Sequence, residues 1–226
     1  TTEMTPDRDL RGTTDRRPHI LTVDCGDETT VAVDNEQRLW TWGHHGGATA
    51  QGSPRLMALP ARVAQVACGY QHGAAVDDCG RLWTWGLGIH GQLGHADTTA
   101  VQAPKLVAAF DGAEARVRSV ACAAEHTAVA DGDGCLWTFG RGHIGHGAFS
   151  LAQVTPRRIV APSVSDMLLG GDTFVQVSCG LEHTAAVTEH GRLYTWGAGS
   201  VGQLGCAPNP APCTARMPGR FHAALR

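Results

Sequence analysis

The chain of 226 residues has almost no lysine: Lys105 stands alone beside 17 arginines. Charged residues of both signs make up only 17%, and the formal net charge is −3. No basic tract is present to hold a phosphate backbone by bulk electrostatics, so charge gives no support to nucleic acid or chromatin as a partner. No run of 18 apolar residues occurs, so no transmembrane helix and no membrane partner are expected. The first 20 residues are polar and lack the apolar stretch of a secretory leader. Helical periodicity is nearly absent; only 106–118 (LVAAFDGAEARVR) could hold a short helix, which Gly112 weakens. Neither G-x-S-x-G nor G-x-x-x-x-G-K-[ST] occurs. With 42% apolar residues and a low net charge, the chain is not disordered, and it has no G-x-y period. What it has in excess is glycine, 29 residues, about twice the usual fraction.

Those glycines fall in a repeat. Four segments align: VDCGDETTVAVDNEQRLWTWG (23–43), VACGYQHGAAVDDCGRLWTWG (66–86), VACAAEHTAVADGDGCLWTFG (120–140) and VSCGLEHTAAVTEHGRLYTWG (177–197). Cysteine and final glycine are 18 positions apart in all four, while the cysteines themselves (Cys25, Cys68, Cys122, Cys179) are 43, 54 and 57 apart. A rigid unit thus alternates with a variable connection. Two units run on into GLGIHGQLG (86–94) and GAGSVGQLG (197–205), and a third into the altered GRGHIGHG (140–147).

Each unit reads as a β-hairpin with a strand before it. Short alternating runs such as HTAAV and RLYTW flank a turn cluster whose glycine (Gly80, Gly134, Gly191) tolerates positive φ. Three or four short strands cannot bury their faces alone, and units of about 50 residues set radially give a β-propeller. The expected fold is all-β. Gly43, Gly86, Gly140 and Gly197 mark strand corners. Trp42, Trp85, Phe139 and Trp196 are expected to pack between blades, and the cysteines against the following blade.

These stretches resemble the repeats of the regulator of chromosome condensation (RCC1) family, with its V-x-x-G-x-x-H-T strand, L-W/Y-x-W/F-G strand and G-x-x-G-Q-L-G. The closest stretches are CGYQHGAAVDDCGRLWTWGLGIHGQLG (68–94) and CGLEHTAAVTEHGRLYTWGAGSVGQLG (179–205). The resemblance implies a seven-bladed propeller, of which four signatures are present: an incomplete set of RCC1-like blades. The organisation expected is a polar extension (1–19), blades over 20–205 with cores 23–43, 66–94, 120–147 and 177–205, and a segment with Pro and Cys (206–226) that begins a further blade or forms a tail. The first unit is degenerate, with Thr29 where His72, His126 and His183 stand and Gln37 at the turn glycine. The third has Ala123 for glycine. The long connection 141–178 would carry an insertion at 160–173.

Candidate chemistry is sparse. Cys-x3-His recurs as Cys68/His72, Cys122/His126 and Cys179/His183. Zinc needs four converging ligands, whereas one pair per blade is spread by rotation. The resemblance implies structural histidines that tie their strand to neighbouring backbone; metal ligation is the alternative. No catalytic residue, cofactor or metal is assigned. G-x-G-x-x-G at 86–91 and 197–202 opens no helix, so a dinucleotide site is not expected. Asp77, Asp78, Asp131 and Asp133 read as turn residues. His44, His45, His90, His143 and His146 all follow the W/F-G strand end and are expected on one face, as a solvated rim or a protein-contact surface sensitive to pH near neutrality.

The function expected is a non-catalytic protein-interaction scaffold. The resemblance adds two alternatives: guanine-nucleotide exchange on a Ran-like small GTPase, for which 148–176 is the one region long enough to form a wedge, or the partner-binding portion of a larger ubiquitin ligase or regulatory protein. Cysteines inside strand-like runs favour a reduced protein, cytoplasmic or nuclear.

Overall fold

Each repeat folds into a four-stranded antiparallel sheet in simple meander order. In the computed structural model, residues 18–45, 50–112, 116–147, 149–159 and 173–205 and the strand Cys213–Arg216 are described. The first blade holds β1 (Ile20–Cys25), β2 (Thr29–Asp34), β3 (Leu39–Gly43) and β4 (Gln51–Met57). The second holds β5 (Val63–Cys68), β6 (His72–Asp77), β7 (Leu82–Gly86) and β8 (Val101–Leu106). The third holds β9 (Val117–Cys122), β10 (His126–Asp131), β11 (Leu136–Gly142) and β12 (Ser150–Arg158). The fourth holds β13 (Phe174–Cys179), β14 (His183–Thr188), β15 (Leu193–Gly197) and β16 (Cys213–Arg216).

The constant core of each repeat supplies the first three strands, and the variable connection supplies the fourth. The second strand starts on the repeat histidine, or on Thr29 in the first blade. Its partner across the hairpin is the terminal glycine of the third strand: Thr29↔Gly43, His72↔Gly86, His126↔Gly140 and His183↔Gly197. Those glycines have φ between +99° and +113°. A side chain on Gly86 would also bring its Cβ to 2.4 Å from the Gln71 carbonyl. Both backbone angle and space therefore require glycine at the corner.

First strands lie side by side around the centre, each tied to the one before through a side chain. Asp24 Oδ2 accepts from the Cys68 amide (2.8 Å), Gln65 Oε1 from the Val120 amide (3.3 Å) and Ser119 Oγ from the Val177 amide (3.1 Å). Between blades, Trp85 is buried with Val31, Val33 and Leu39 of the first blade, Phe139 with Val76 and Leu82 of the second, and Trp196 with Ala130 and Leu136 of the third. Burying side chains of this size contributes about 1.5–3 kcal/mol each. Trp42 and Val23 hold the same places in the first blade, where Trp42 is half-buried and Val23 exposed.

Two expectations are corrected. The cysteines pack against the preceding blade, not the following one: Cys68 clusters with Val31 and Leu39, and Cys179 Sγ reaches the Ala121 carbonyl (3.7 Å). Residues Cys213–Arg216 form the outer strand of the fourth blade rather than opening another. The described part of 106–118 holds a short helix, the 3-10 turn Ala108–Phe110 between β8 and β9, which places Phe110 fully inside, edge-on to Trp137 at 5.8 Å. Most of 1–19, the insertion at 160–172 and Cys206 lie outside the described residues.

Candidate interaction surface

Two of the three repeated histidines are used up inside the fold. His72 Nε2 bonds Thr127 Oγ1 of the next blade (3.0 Å), and His126 Nε2 bonds Thr184 Oγ1 of the one after (2.8 Å). Burial pushes these imidazoles down, His72 to about 3 with a contribution from His126, and His126 to about 4 with a contribution from His183. Each is a neutral strut. Burial likewise raises the Cys68 thiol to about 11 and the Cys179 thiol to about 12, so neither is a thiolate ready to ligate or attack. The sulfur that His126 Nε2 meets is Cys179 of the following blade, at 3.8 Å. The Cys-x3-His spacing thus reflects two separate packing roles.

A second internal tie was hidden in the sequence. The middle threonine of the third strand (Thr41, Thr84, Thr138) is buried and bonds Nε2 of a histidine returning from the glycine connection: His45, His95 and His146. The same hydroxyls donate to Leu93 O and Ile144 O, and Thr195 donates to Leu204 O. Burial lowers the pKa of all three histidines; His44 adds to the effect at His45, Lys105 at His95 and Arg157 at His146. His45 is only 7% exposed. His45 and His146 therefore leave the expected histidine rim, and His95, which the motif reading passed over, joins them.

His44, His90 and His143 do lie on the face formed by the first hairpin turns and the glycine connections. These two loop sets are fastened together in every blade: the amides of His44, Leu87, Arg141 and Ala198 donate to the carbonyls of Glu28, Gln71, Glu125 and Glu182. Here side chains reach across blades. His44 Nδ1 meets Glu28 Oε2 (2.9 Å), which also accepts from Gln71 Nε2 of the second blade (2.6 Å). The Gln71 hydrogen bond, then His44, lowers the Glu28 pKa. His90 Nε2 approaches Glu125 (3.2 Å), whose carboxylate also takes Arg141 Nη1 (2.9 Å). His143 meets Phe149 edge-on at 5.1 Å, with the Arg141 guanidinium 5.7 Å from the same ring.

Around these polar links the face is apolar. Tyr70 is 40% exposed, Ile89 53%, Leu181 69% and Val201 84%. A cleft of about 600 Å³ opens among them, lined by Tyr70, Ala124, Arg141, Phe149, Leu181 and Glu182, among others. At the opposite end of the blades, Asp77, Asp78 and Cys79 bring ligand atoms within 4.8 Å of one another. Asp77 already accepts four hydrogen bonds there, from the Cys79 and Arg81 amides, Arg81 Nε and Trp83 Nε1. Asp77 and Asp131 are turn residues, their carboxylates accepting from amides of the hairpin turn, but they are buried rather than solvated; Asp78 and Asp133 are exposed.

Comparison with known proteins places this architecture. Models of the "Regulator of chromosome condensation (RCC1) repeat" match residues 79–130 and 133–187, and in a second form 63–92 and 174–203. The ultraviolet-B receptor UVR8 of Arabidopsis thaliana is 37% identical over 196 residues, covering 82% of this chain and 43% of the receptor. The human probable E3 ubiquitin-protein ligase HERC3 is 34% identical over 202 residues, covering 82% of this chain and 18% of the ligase. The chain thus spans less than half the length of these relatives. Among solved structures, human WBSCR16 superimposes with a TM-score of 0.74 at 25% identity, covering 85% of this chain and 51% of that one. Prp20p of Saccharomyces cerevisiae gives 0.71 at 23% identity, with 92% and 52% covered. The chain belongs to the RCC1 repeat family, and its four sheets are blades of an incomplete RCC1 β-propeller.

Proposed function

We propose that the chain is a non-catalytic interaction module whose loop face binds a protein partner. One contrast supports this reading. Groups that recur from blade to blade, His72 and His126, the mid-strand threonines and the strand-end aspartates, bond within the fold. On one face the first turn position varies from blade to blade, with Asp27, Tyr70 and Leu181 exposed and Ala124 half-buried, while the next is more constant, Glu28, Gln71, Glu125 and Glu182, with Glu28 and Glu182 exposed. A constant scaffold with variable loops is how binding surfaces are built. The relatives agree in kind. Similar segments occur in a receptor, a ubiquitin ligase and a kinase named Nek9, whose chemistries differ, as expected if the shared part recognises rather than reacts.

The reading is tested with a photo-crosslinking residue placed at Leu181, at Val201 or, as control, at Asp133 on the opposite end. Adducts with a defined protein from Leu181 and Val201 but not Asp133 are expected. Equal labelling from all three, or none, overturns it. The same preparation tests the exchange alternative: no acceleration of labelled nucleotide release from a Ran-like GTPase is expected at micromolar protein.

A further inference from the structure

The third blade departs from its neighbours at two places on the loop face, and both departures remove bulk. The first is the turn position occupied by Tyr70 in the second blade and Leu181 in the fourth, which in the third is Ala124. The second is the glycine connection. The buried threonine finds its carbonyl partner nine residues on in the second and fourth blades (Thr84 to Leu93, Thr195 to Leu204) but only six on in the third (Thr138 to Ile144). Three residues are missing, those that carry Ile89 and His90 outward in the second blade. β11 and β12 instead run on together to the pair Gly142↔Ser150. A Cβ at Gly142 would meet nothing within 4 Å, so the space is open.

The result is a notch, the cleft already described, with Ala124 on its floor and Tyr70, Phe149 and Leu181 around it. The floor is fastened to one wall, as the Ala124 amide donates to the Leu181 carbonyl (3.2 Å). Its charges are unequal. Glu125 and Arg141 neutralise each other by direct contact. Glu182 is exposed, lines the same cleft and has no ion-pair partner among the described residues. The notch therefore offers an uncompensated carboxylate beside apolar and aromatic walls. Its wall Leu181 is 69% exposed and its lining reaches Ser200 at the surface, so it suits a chain more than an enclosed small molecule.

We propose that this notch holds a peptide segment of the partner, with an arginine or lysine reaching Glu182 and a neighbouring apolar side chain packed against Tyr70 and Leu181. The inference rests on the interaction reading and makes it specific. A cation with an aliphatic stem satisfies both features at once, since the stem lies on apolar surface while the head meets the carboxylate.

The test uses fluorescence anisotropy with the labelled peptide Gly-Leu-Gly-Arg-Gly-Leu-Gly and its counterpart carrying Glu in place of Arg. The full chain is expected to bind the arginine peptide at least tenfold more tightly than the glutamate one. Ala124→Tyr, which restores the bulk of the second blade, and Glu182→Lys should each weaken the arginine peptide at least tenfold, with thermal unfolding unchanged as the check on folding. Equal binding of the two peptides, no binding at 1 mM, or full binding by a folded Ala124→Tyr variant overturns the proposal. A partner crosslinked from Val201 and retained by Ala124→Tyr would overturn the notch while leaving the interaction face standing.

Discussion

The imidazole of His126 bonds the hydroxyl of Thr184 across the junction between the third and fourth blades, 2.8 Å apart and fully inside. His72 and Thr127 repeat the tie one junction earlier. The first junction has neither partner: Thr29 replaces the histidine and Gly73 the threonine, and the Trp85 ring occupies the space a Gly73 side chain would need, at 2.5 Å. Donor and acceptor are lost together, so no buried hydroxyl faces an empty site. His126→Ala breaks that rule, leaving the Thr184 hydroxyl with only the long contact to Cys179 Sγ (3.8 Å) and a cavity beside it. It should cost about 2–4 kcal/mol in urea unfolding. A cost below about 1 kcal/mol would show that the tie does not hold the junction.

The same burial makes stability depend on pH. His72 and His126 are held at about 3 and about 4, below the ordinary value near 6.5 that the unfolded chain retains. Between those values the unfolded chain binds protons that the folded chain does not. Stability should therefore fall as pH drops below about 6.5, by about 1.4 kcal/mol per unit for each neutral imidazole. The loss should level off near pH 4 for His126 and near pH 3 for His72. In His126→Leu the slope between pH 6 and 4.5 should be smaller by one such contribution, read from urea midpoints across that range; an unchanged slope would assign the dependence elsewhere.

The strand-end aspartates form a graded series. Asp77 accepts four hydrogen bonds, including Trp83 Nε1 at 2.9 Å; Asp131 accepts from the Cys135 amide and Trp137 Nε1, both at 2.7 Å. In the fourth blade Thr188 stands in this place and accepts from the Arg192 amide at 3.2 Å, with Tyr194 where the tryptophans stand. At Asp77, burial raises the pKa but the Trp83 and Arg81 donors outweigh it, so the carboxylate stays ionised. Truncation to alanine should cost about 3–5 kcal/mol at Asp77, less at Asp131 and about 1 kcal/mol at Thr188. Equal losses at all three would mean that the turn, not the acceptor, sets the cost.

The sequence carried the blades because the distance from cysteine to glycine never changes, and the aromatics because they recur within that fixed length. It hid the His45, His95 and His146 series because they lie beyond a connection of changing length: 2, 9 and 6 residues after Gly43, Gly86 and Gly140. Counted forward from the tryptophan-glycine corner they do not align. Aligned on GQLGH (91–95) and GHIGH (142–146), His95 and His146 do. Spacing also could not say which neighbour a cysteine faces, since both sides of an inner strand meet a blade. Nor could it show that Asp77 points inward, which depends on the indole two residues past the turn. Of the notch, only the altered GRGHIGHG (140–147) stood out in the repeat, and Ala124 gained meaning once the fold set the two side by side.

Gln37 offers a stabilising change. It occupies the hairpin turn at φ +59°, where the other blades place Gly80, Gly134 and Gly191 at +81°, +77° and +74°. The turn itself is the same in all four blades, as the Gln37 amide donates to the Asp34 carbonyl just as the glycine amides donate to Asp77, Asp131 and Thr188. A left-handed conformation costs a side-chain-bearing residue roughly 1–2 kcal/mol. Glycine removes that strain but gives back roughly 0.5–1 kcal/mol through the greater freedom of the unfolded chain. The difference favours Gln37→Gly by up to about 1.5 kcal/mol. The Gln37 carbonyl that accepts from Val63 of the next blade is retained, so the junction is undisturbed. Urea unfolding should show a higher midpoint with an unchanged slope. A lower midpoint would mean that the glutamine side chain contributes more to the first blade than its backbone strain costs.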